Sequence, residues 1–397
     1  MVKSTQPTDP HTTEKQHPKK VRTAPRPLGN DPLASVAPAP AGARPAAAKA
    51  RPKNAADKIP APNQNARKDF VLVTGGSGLI GNHVVRLLLE RGYRVRCLVM
   101  PGESRAPFRG FEVELVEGSL TDHASHLPML QGVDGVIHLA AIYALWLPDP
   151  ATMYRVNVEG TRHFLGQALT CGLKKVVFTS SIAALGVRKD GRPANEDDPF
   201  NQWATANDYV WSKYQSDLEV QLLAARGLPV TIVNPCFPVG IGDRAPTPTG
   251  EIILNVLRGR FLGYLKNSGF NIVDVEDVAL GHVLAYEKGQ VGRRYLLGNR
   301  NISQRDLIRL IQAIAGTKKV PDRAIPLIVY RTVARGMELL AELTGKPPLS
   351  TVKTLETANQ YLYYDCSRAV DELGLPQTPI EEAIRKAIDW FRANDYV

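Results

Sequence analysis

Residues 70–81 read Phe70-Val71-Leu72-Val73-Thr74-Gly75-Gly76-Ser77-Gly78-Leu79-Ile80-Gly81. The first five residues predict a buried strand, and the apolar pattern after Gly78 predicts a helix that starts at once. Gly75, Gly78 and Gly81 permit a tight turn, a close approach of the main chain to a pyrophosphate group, and close packing of the helix on the strand. The first amides of the helix would donate hydrogen bonds to those phosphates. A glycine turn that binds no ligand is the alternative interpretation.

Short apolar runs alternate with amphipathic helical segments from this point to about residue 235. This alternation predicts βαβ units, and so an α/β fold of the Rossmann type with a doubly wound parallel sheet. The candidate strands are Phe70–Thr74, Arg94–Val99, Glu112–Glu117, Gly135–Leu139, Lys175–Thr179 and Val230–Asn234, and the candidate helices include Gly78–Arg91, Met153–Cys171 and Asn207–Arg226.

Composition divides the 397 residues into three parts. Residues 1–68 hold 12 of the 30 prolines and 13 Lys/Arg against 4 Asp/Glu, so we predict a disordered basic tail. Residues 69–235 are expected to form the nucleotide-binding domain. Residues 236–397 are expected to form a smaller C-terminal substrate-binding lobe that returns segments to the first domain, with Gly269–Val283 as one candidate.

The net charge of +10 lies almost entirely in the tail, whose balance is +9, so the rest of the chain is close to neutral. This distribution argues against a nucleic-acid partner. The tail itself could contact an anionic membrane surface or an acidic partner, or could be a solvated segment. The chain has no run of eighteen apolar residues and no signal-peptide pattern, which predicts a cytoplasmic protein without a membrane span. Its four cysteines are far apart in sequence, which favours neither a metal site nor disulfides.

Tyr209 and Lys213 are four residues apart in a predicted helix, so their side chains share one face. A neighbouring ammonium group favours the phenolate, and we expect Lys213 to lower the pKa of Tyr209 from about 10. Tyr209 would then serve as a general acid and base. Ser181 ends a candidate strand at the ligand-binding edge of the sheet, where its hydroxyl could donate to a substrate oxygen. The predicted catalytic residues are therefore Ser181, Tyr209 and Lys213.

In this order the motifs resemble the extended short-chain dehydrogenase/reductases of the NAD-dependent epimerase/dehydratase family. Within that family the chain looks most like bacterial dihydroflavonol-4-reductase-like proteins, including those called hopanoid-associated sugar epimerases. The matching residues are Thr74–Gly81, His138-Leu139-Ala140-Ala141, Asn157-Val158-Glu159-Gly160-Thr161, Ser180-Ser181 with Gly186, Tyr209 with Lys213, and Asn234-Pro235.

The resemblance implies a nicotinamide dinucleotide and a small-molecule substrate. Relatives carry an acidic or basic residue where this chain has Met100, and an Asp where it has Ser119. The missing acid, with Arg96 and Arg105 nearby, favours NADP over NAD. The implied cofactor-binding residues are Gly75, Gly78, Leu79, Ile80, Gly81, Arg96, Met100, Arg105, Ser119, Leu120, Ala140, Ala141, Asn157, Tyr209, Lys213 and Pro235.

The implied activity is hydride transfer between the nicotinamide and a carbonyl or secondary alcohol of a largely apolar molecule, such as a dihydroflavonol, steroid or isoprenoid. The alternatives are a nucleotide-sugar epimerase with tightly bound NAD and a non-enzymatic dinucleotide sensor. Tyr143, Trp146 and Cys236 are candidate substrate residues, although the two aromatic ones could instead cap the core. The resemblance also implies a homodimer formed through the helices at 153–171 and 207–226.

Two further segments are open to more than one interpretation. His138 lies between apolar neighbours, which favours a packing role in the cofactor loop over a catalytic one. The segment Ile325–Leu343 is apolar on one face and carries Arg331 and Arg335. Core packing or contact with a membrane surface would each explain that face.

Overall fold

The computed structural model describes residues 68–144, 146–344 and 351–397. The predicted disordered tail therefore lies outside the described residues, apart from Lys68. The strands are β1 Phe70–Thr74, β2 Arg94–Val99, β3 Glu114–Glu117, β4 Gly135–His138, β5 Lys175–Thr179, β6 Val230–Pro235, β7 Phe237–Val239, β8 Gly269–Asp274, β9 Arg294–Leu297, β10 Arg300–Ser303 and β11 Tyr361–Leu362. The helices are α1 Leu79–Glu90, α2 His126–Leu130, α3 Ala151–Tyr154, α4 Thr161–Thr170, α5 Asp208–Ala225, α6 Pro248–Leu257, α7 Val275–Lys288, α8 Gln304–Ala315, α9 Leu327–Thr344, α10 Val352–Ala358 and α11 Ile380–Ala393.

Seven strands form one parallel sheet in the order β3-β2-β1-β4-β5-β6-β9. Apolar side chains of α1 and α7 pack on one face of this sheet, and those of α4 and α5 pack on the other. The predicted Rossmann-type fold is thereby confirmed. The strand β1, an interior strand of this sheet, is buried throughout, which explains its continuous apolar run.

A smaller sheet has β8 at its centre, with β10 antiparallel to it and β7 and β11 parallel. Helices α6, α8 and α11 cover this sheet with a second apolar core. The candidate returning segment Gly269–Val283 is divided between the two sheets, because β8 belongs to the smaller one and α7 packs on the larger. The strand β9 also joins the larger sheet from the C-terminal part of the chain.

Thr378 precedes α11 but does not cap it. The Thr378 hydroxyl instead donates to Asp277 Oδ1 at 2.9 Å, and Pro379 precedes the helix without a side-chain cap. Helix α11 buries one apolar stripe, formed by Ile380, Ile384, Ile388 and Phe391. Within the three described ranges, no helix combines the length and apolar content needed to cross a membrane.

Candidate active site

The turn between β1 and α1 depends on glycine at two positions. Gly75 has a φ of +72°, which residues with a Cβ rarely adopt, and a Cβ there would lie 2.8 Å from the Ala140 nitrogen. A Cβ on Gly81 would overlap the Gly75 carbonyl oxygen. The predicted tight turn and close helix packing are both present.

The start of α1 is open to a ligand. Gly78 is exposed and precedes the helix, and no side chain hydrogen-bonds to the first amides. The first turn of a helix has no intrahelical acceptors for its N–H groups, so the amides from Leu79 and Ile80 can donate to an anion.

A hydrogen-bonded chain joins the ends of β1 and β4. The Thr74 hydroxyl lies 2.8 Å from His138 Nδ1 and accepts a bond from the Ala140 amide at 3.2 Å, while His138 Nε2 lies 3.1 Å from the Thr161 hydroxyl. Burial lowers the pKa of His138 to about 3, so its ring is neutral. His138 therefore has the packing role that its apolar neighbours indicate.

Asn157 holds the loop after β4, which carries Ala140 and Ala141, against α5. Its Oδ1 accepts from the Ile142 amide at 2.7 Å, and its Nδ2 donates to the Ile142 carbonyl at 3.0 Å and to the Ser212 hydroxyl at 3.0 Å. Both amide hydrogens and the amide oxygen of Asn157 are therefore hydrogen-bonded. In the structure Asn157 thus positions the loop beside the glycine turn.

The three predicted catalytic residues meet at the carboxyl end of β5. Ser181 directly follows that edge, and its Oγ accepts from the Ala183 amide at 3.1 Å. The Ser181 hydroxyl is also near enough to the half-buried side chain of Tyr209 to lower the pKa of that phenol. The buried Lys213 donates from Nζ to the Thr179 main-chain oxygen at 2.8 Å. Two separate elements, β5 and α5, therefore supply the hydroxyl, the phenol and the ammonium group.

Burial dominates the titration of both polar groups on α5. It raises the pKa of Tyr209 to about 12, against a smaller lowering by the Ser181 hydrogen bond. It lowers the pKa of Lys213 to about 8, against a smaller raising by Asp217. The expected lowering of the Tyr209 pKa by Lys213 is not what the structure shows, because burial of the phenol sets the direction of the shift and raises the pKa.

The sequence did not point to one buried residue near Lys213, the acid Asp217. Asp217 is buried one helical turn after Lys213 and accepts hydrogen bonds from Ser180, Arg294 and Gln221. The spacing of four from Lys213 was the available signal, but the spacing alone does not reveal burial. Asp217 fixes α5 to the ends of β5 and β9.

The end of β6 completes the edge of the site. Asn234 donates from Nδ2 to the Ser181 carbonyl at 2.8 Å, while its buried Oδ1 has no partner among the described residues. Pro235 is the last residue of β6 and is in register with Leu297 of β9. An unpaired buried acceptor costs free energy unless a ligand or water satisfies it.

The end of β2 carries an acidic side chain that the sequence analysis did not single out. The Met100 amide donates to Glu103 Oε2 at 2.8 Å, and the Ser77 hydroxyl in the glycine turn donates to Glu103 Oε1. The Met100 side chain itself is 57% exposed. A carboxylate is therefore present where the sequence indicated that the acid was missing.

The two predicted cations differ in availability. The guanidinium group of Arg96 donates to one carboxylate and two main-chain oxygens: Glu114 at 2.7 Å, Met129 at 2.9 Å and Gln131 at 2.8 Å. Arg96 is thus not available as a phosphate-binding cation. Arg105 is exposed and lies 3.7 Å from Glu117, a pair that water screens strongly.

Ser119 and Leu120 follow β3. The Ser119 hydroxyl lies 2.9 Å from the Thr121 hydroxyl at the exposed end of the loop. Leu120 is buried in the core, and its carbonyl lies 3.1 Å from His126 Nε2.

The candidate substrate residues are not equivalent. The rings of Tyr143 and Tyr209 are 4.7 Å apart between centroids, which places Tyr143 against the Tyr209 phenol. Trp146 is half-buried. Cys236 is buried in the core, and a Cβ on Gly298 would lie 2.6 Å from its sulfur and 2.5 Å from that of Cys366. The structure thus places Cys236 against a second thiol inside the core.

The chain belongs to the NAD dependent epimerase/dehydratase family, whose model matches residues 71–298. Over 336 residues it is 40% identical to a Synechocystis sp. protein with the provisional name dihydroflavonol 4-reductase, covering 84% of this chain and 97% of that one. Over 323 residues it is 33% identical to sterol demethylase protein B of Methylococcus capsulatus, covering 81% and 98%. The crystal structure of gox2253 is similar to this one with a TM-score of 0.74 and 41% identity, covering 83% of this chain and all of that one.

The resemblance to extended short-chain dehydrogenase/reductases is confirmed by these matches, and the chain is an enzyme of that type, acting on CH–OH or carbonyl groups. The residues present fit a dinucleotide. The glycine turn brings the main chain close to the ligand edge, the open start of α1 suits a pyrophosphate, and the unpaired Asn234 Oδ1 lies beside Ser181.

Proposed function

We propose that this protein is an oxidoreductase that interconverts a carbonyl and a secondary alcohol on a largely apolar small molecule, with Tyr209 as general acid and base. The observation that carries the proposal is the meeting of Ser181, Tyr209 and Lys213 at the carboxyl end of β5. When bound, the nicotinamide supplies or accepts the hydride.

The titration of the site favours reduction at neutral pH. With a pKa of about 12, Tyr209 carries its proton and can donate it to a substrate oxygen. With a pKa of about 8, Lys213 is mainly charged at pH 7 and stabilises the phenolate that remains. The Ser181 hydroxyl would hold the same substrate oxygen.

Two observations support an apolar substrate. The Tyr143 ring lies against Tyr209, which gives the catalytic phenol an aromatic neighbour. The names of the two relatives refer to a dihydroflavonol and a sterol, both of which are built on fused rings.

For the cofactor we propose NAD, contrary to the preference that the sequence favoured. The Glu103 carboxylate at the end of β2 would accept hydrogen bonds from ribose hydroxyls and repel a 2′-phosphate. The engagement of Arg96 with three other acceptors removes one of the two cations on which NADP rested.

The direct test is nicotinamide oxidation by purified protein, followed by absorbance with dihydroflavonol, steroid and isoprenoid ketones and the matching alcohols. We expect turnover with at least one class that is lost in Tyr209→Phe. The absence of turnover across all three classes would contradict the proposal.

The alternative is a nucleotide-sugar epimerase, which needs the same three residues but retains its NAD through each cycle. Mass spectrometry of the purified protein separates the two activities. NAD that copurifies in a near-equimolar amount favours the epimerase, whereas its absence favours the reductase. Sugar dehydration is disfavoured, because Ile182 and Ala183 follow Ser181 where dehydratases carry an acidic pair.

A further inference from the structure

Helix α9 carries its large apolar side chains on the side that faces solvent. Six of them, between 50% and 78% exposed, form what we call the α9 apolar face: Ile328, Val329, Val333, Leu339, Leu340 and Leu343. Apolar side chains scattered singly over a surface are ordinary, but six on one helix form a contiguous patch. Such a patch is typical of a surface that binds a protein or a membrane.

The opposite side of α9 explains why this arrangement is built into the fold. Arg331 pairs with Glu356 of α10 at 2.8 Å, and Glu338 accepts from the Val352 amide at 2.8 Å. The small residues Ala334 and Ala341 are buried between these contacts. Because charged and small side chains hold the helix to the protein, its apolar side is left facing outward.

The patch continues into the loop before β8. The Tyr330 hydroxyl donates to the Gly263 carbonyl at 3.5 Å, and the neighbouring Leu262 is 65% exposed. Three exposed cations lie in these two segments: Arg260, Lys266 and Arg335. In the part of the chain that the structure covers, none of the three forms an ion pair.

We propose that the α9 apolar face and Leu262 form a docking surface for a lipid bilayer that contains anionic lipids. An amphipathic helix with exposed apolar side chains and cations at its border lies in the interface plane of such a bilayer. The four charged residues of α9 are Arg331, Arg335, Glu338 and Glu342, which suit a helix that lies on a membrane rather than one that crosses it.

The docking surface is connected to the catalytic segment. The Thr357 hydroxyl of α10 donates to the Thr205 carbonyl at 2.8 Å, and Gln360 donates to the Gln202 side chain at 3.1 Å. These contacts reach the residues just before α5 and Tyr209. If the substrate is apolar, as proposed, docking would bring this segment to the lipid bilayer, in which such a molecule dissolves.

The test is flotation of the full-length chain with vesicles of phosphatidylcholine alone and with phosphatidylglycerol added. We expect binding to the anionic vesicles, and a loss of at least about tenfold in the partition coefficient for Leu340→Glu/Leu343→Glu, because two leucines that would enter the bilayer are removed. Arg335→Glu should weaken binding to the anionic vesicles but not to the vesicles of phosphatidylcholine. Leu127→Glu, at an exposed leucine of α2, is the matched control and should bind as the wild type does.

The basic tail is present in every variant, so differences between variants report on α9. Circular dichroism checks folding, and Leu340→Ser/Leu343→Ser serves if the glutamate pair does not fold. Unchanged binding in the folded α9 variants would overturn the proposal. The proposal would also be overturned if light scattering showed a wild-type dimer that the same variants dissociate without any change in vesicle binding. Because binding is measured without substrate, its failure leaves the proposed reaction untouched.

Discussion

The hydroxyl group of Ser77 donates a hydrogen bond to the carboxylate of Glu103, which joins the glycine turn after β1 to the loop after β2. The second oxygen of the same carboxylate accepts from the Met100 amide at 2.8 Å. The acid thus lies between the two elements that would hold the adenosine half of a dinucleotide. Its charge should set which dinucleotide binds.

We expect Glu103→Gln to raise the kcat/KM ratio of NADP to NAD by about tenfold, since the change removes a negative charge that repels the 2′-phosphate. Steady-state kinetics with both dinucleotides measures the ratio. Glu112→Gln, at an exposed carboxylate near the opposite end of the sheet, should leave it unchanged. A wild-type preference for NADP would refute the role given to Glu103.

Tyr209→Phe should lower kcat by roughly 10²- to 10⁴-fold, the usual contribution of general acid catalysis, because the phenol proton is lost. Dinucleotide affinity, measured by fluorescence or calorimetry, should change little. Tyr214→Phe removes a hydroxyl five residues along the same helix, where the ring stacks on Phe200 with centroids 4.1 Å apart. That control should retain its activity; an equal loss in both variants would indicate a folding defect instead of catalysis.

The pH profile of reduction should report on Lys213. Its pKa is lowered to about 8, so the ammonium group is charged below that pH and neutral above it. We expect kcat/KM for reduction to fall as pH rises through about 8. In Lys213→Arg the cation persists to much higher pH, so any remaining activity should lose this descending limb. If kcat/KM fell at the same pH in both proteins, the titration would belong to another group.

Acid should destabilise the fold through two buried histidines. Burial lowers the pKa of His138 to about 3 and that of His282 to about 4, whereas both should titrate near 6.5 in the unfolded chain. The unfolded state therefore binds protons first, and stability is lost as pH falls from 6.5 towards 4. The free energy of unfolding from urea titrations should fall by roughly 2–3 kcal/mol per buried histidine at pH 4. His138→Gln should reduce this slope, because one of the two buried imidazoles is removed.

Gly81→Ala should disrupt both folding and dinucleotide binding, because its Cβ would overlap the Gly75 carbonyl oxygen. We expect a loss of about 1–3 kcal/mol in the free energy of unfolding, as for other overpacking substitutions. Gly166→Ala is the matched control, since a Cβ at that position in α4 has nothing within 4 Å. It should stabilise the protein by about 0.5–1 kcal/mol. Thermal unfolding with and without NAD compares the two.

The sequence was informative wherever a function depends on local geometry. The glycine spacing of residues 75–81 requires one turn, and the alternation of apolar runs with helical patterns requires parallel strands between helices. The spacing of Tyr209 and Lys213 requires one helix face. Each of these relationships spans a few residues, so periodicity and steric limits are sufficient to predict it.

The chemistry that arises from burial and from long-range contacts was outside the reach of the sequence. Lys213 was expected to lower the Tyr209 pKa, but desolvation, which depends on the whole surrounding fold, reverses the direction. Glu103 lies in an irregular loop, and only the folded chain brings it to Ser77.

What the sequence by itself determined is the class of fold and the choice of candidate catalytic groups, because both follow from short-range patterns. Only the tertiary structure decided their surroundings. It engaged Arg96 with other acceptors and buried Cys236 against Cys366, which is 130 positions away in the chain. It also turned the apolar face of α9 outward. A periodic pattern shows that one helix face is apolar, but whether protein or another phase covers that face depends on contacts between distant segments.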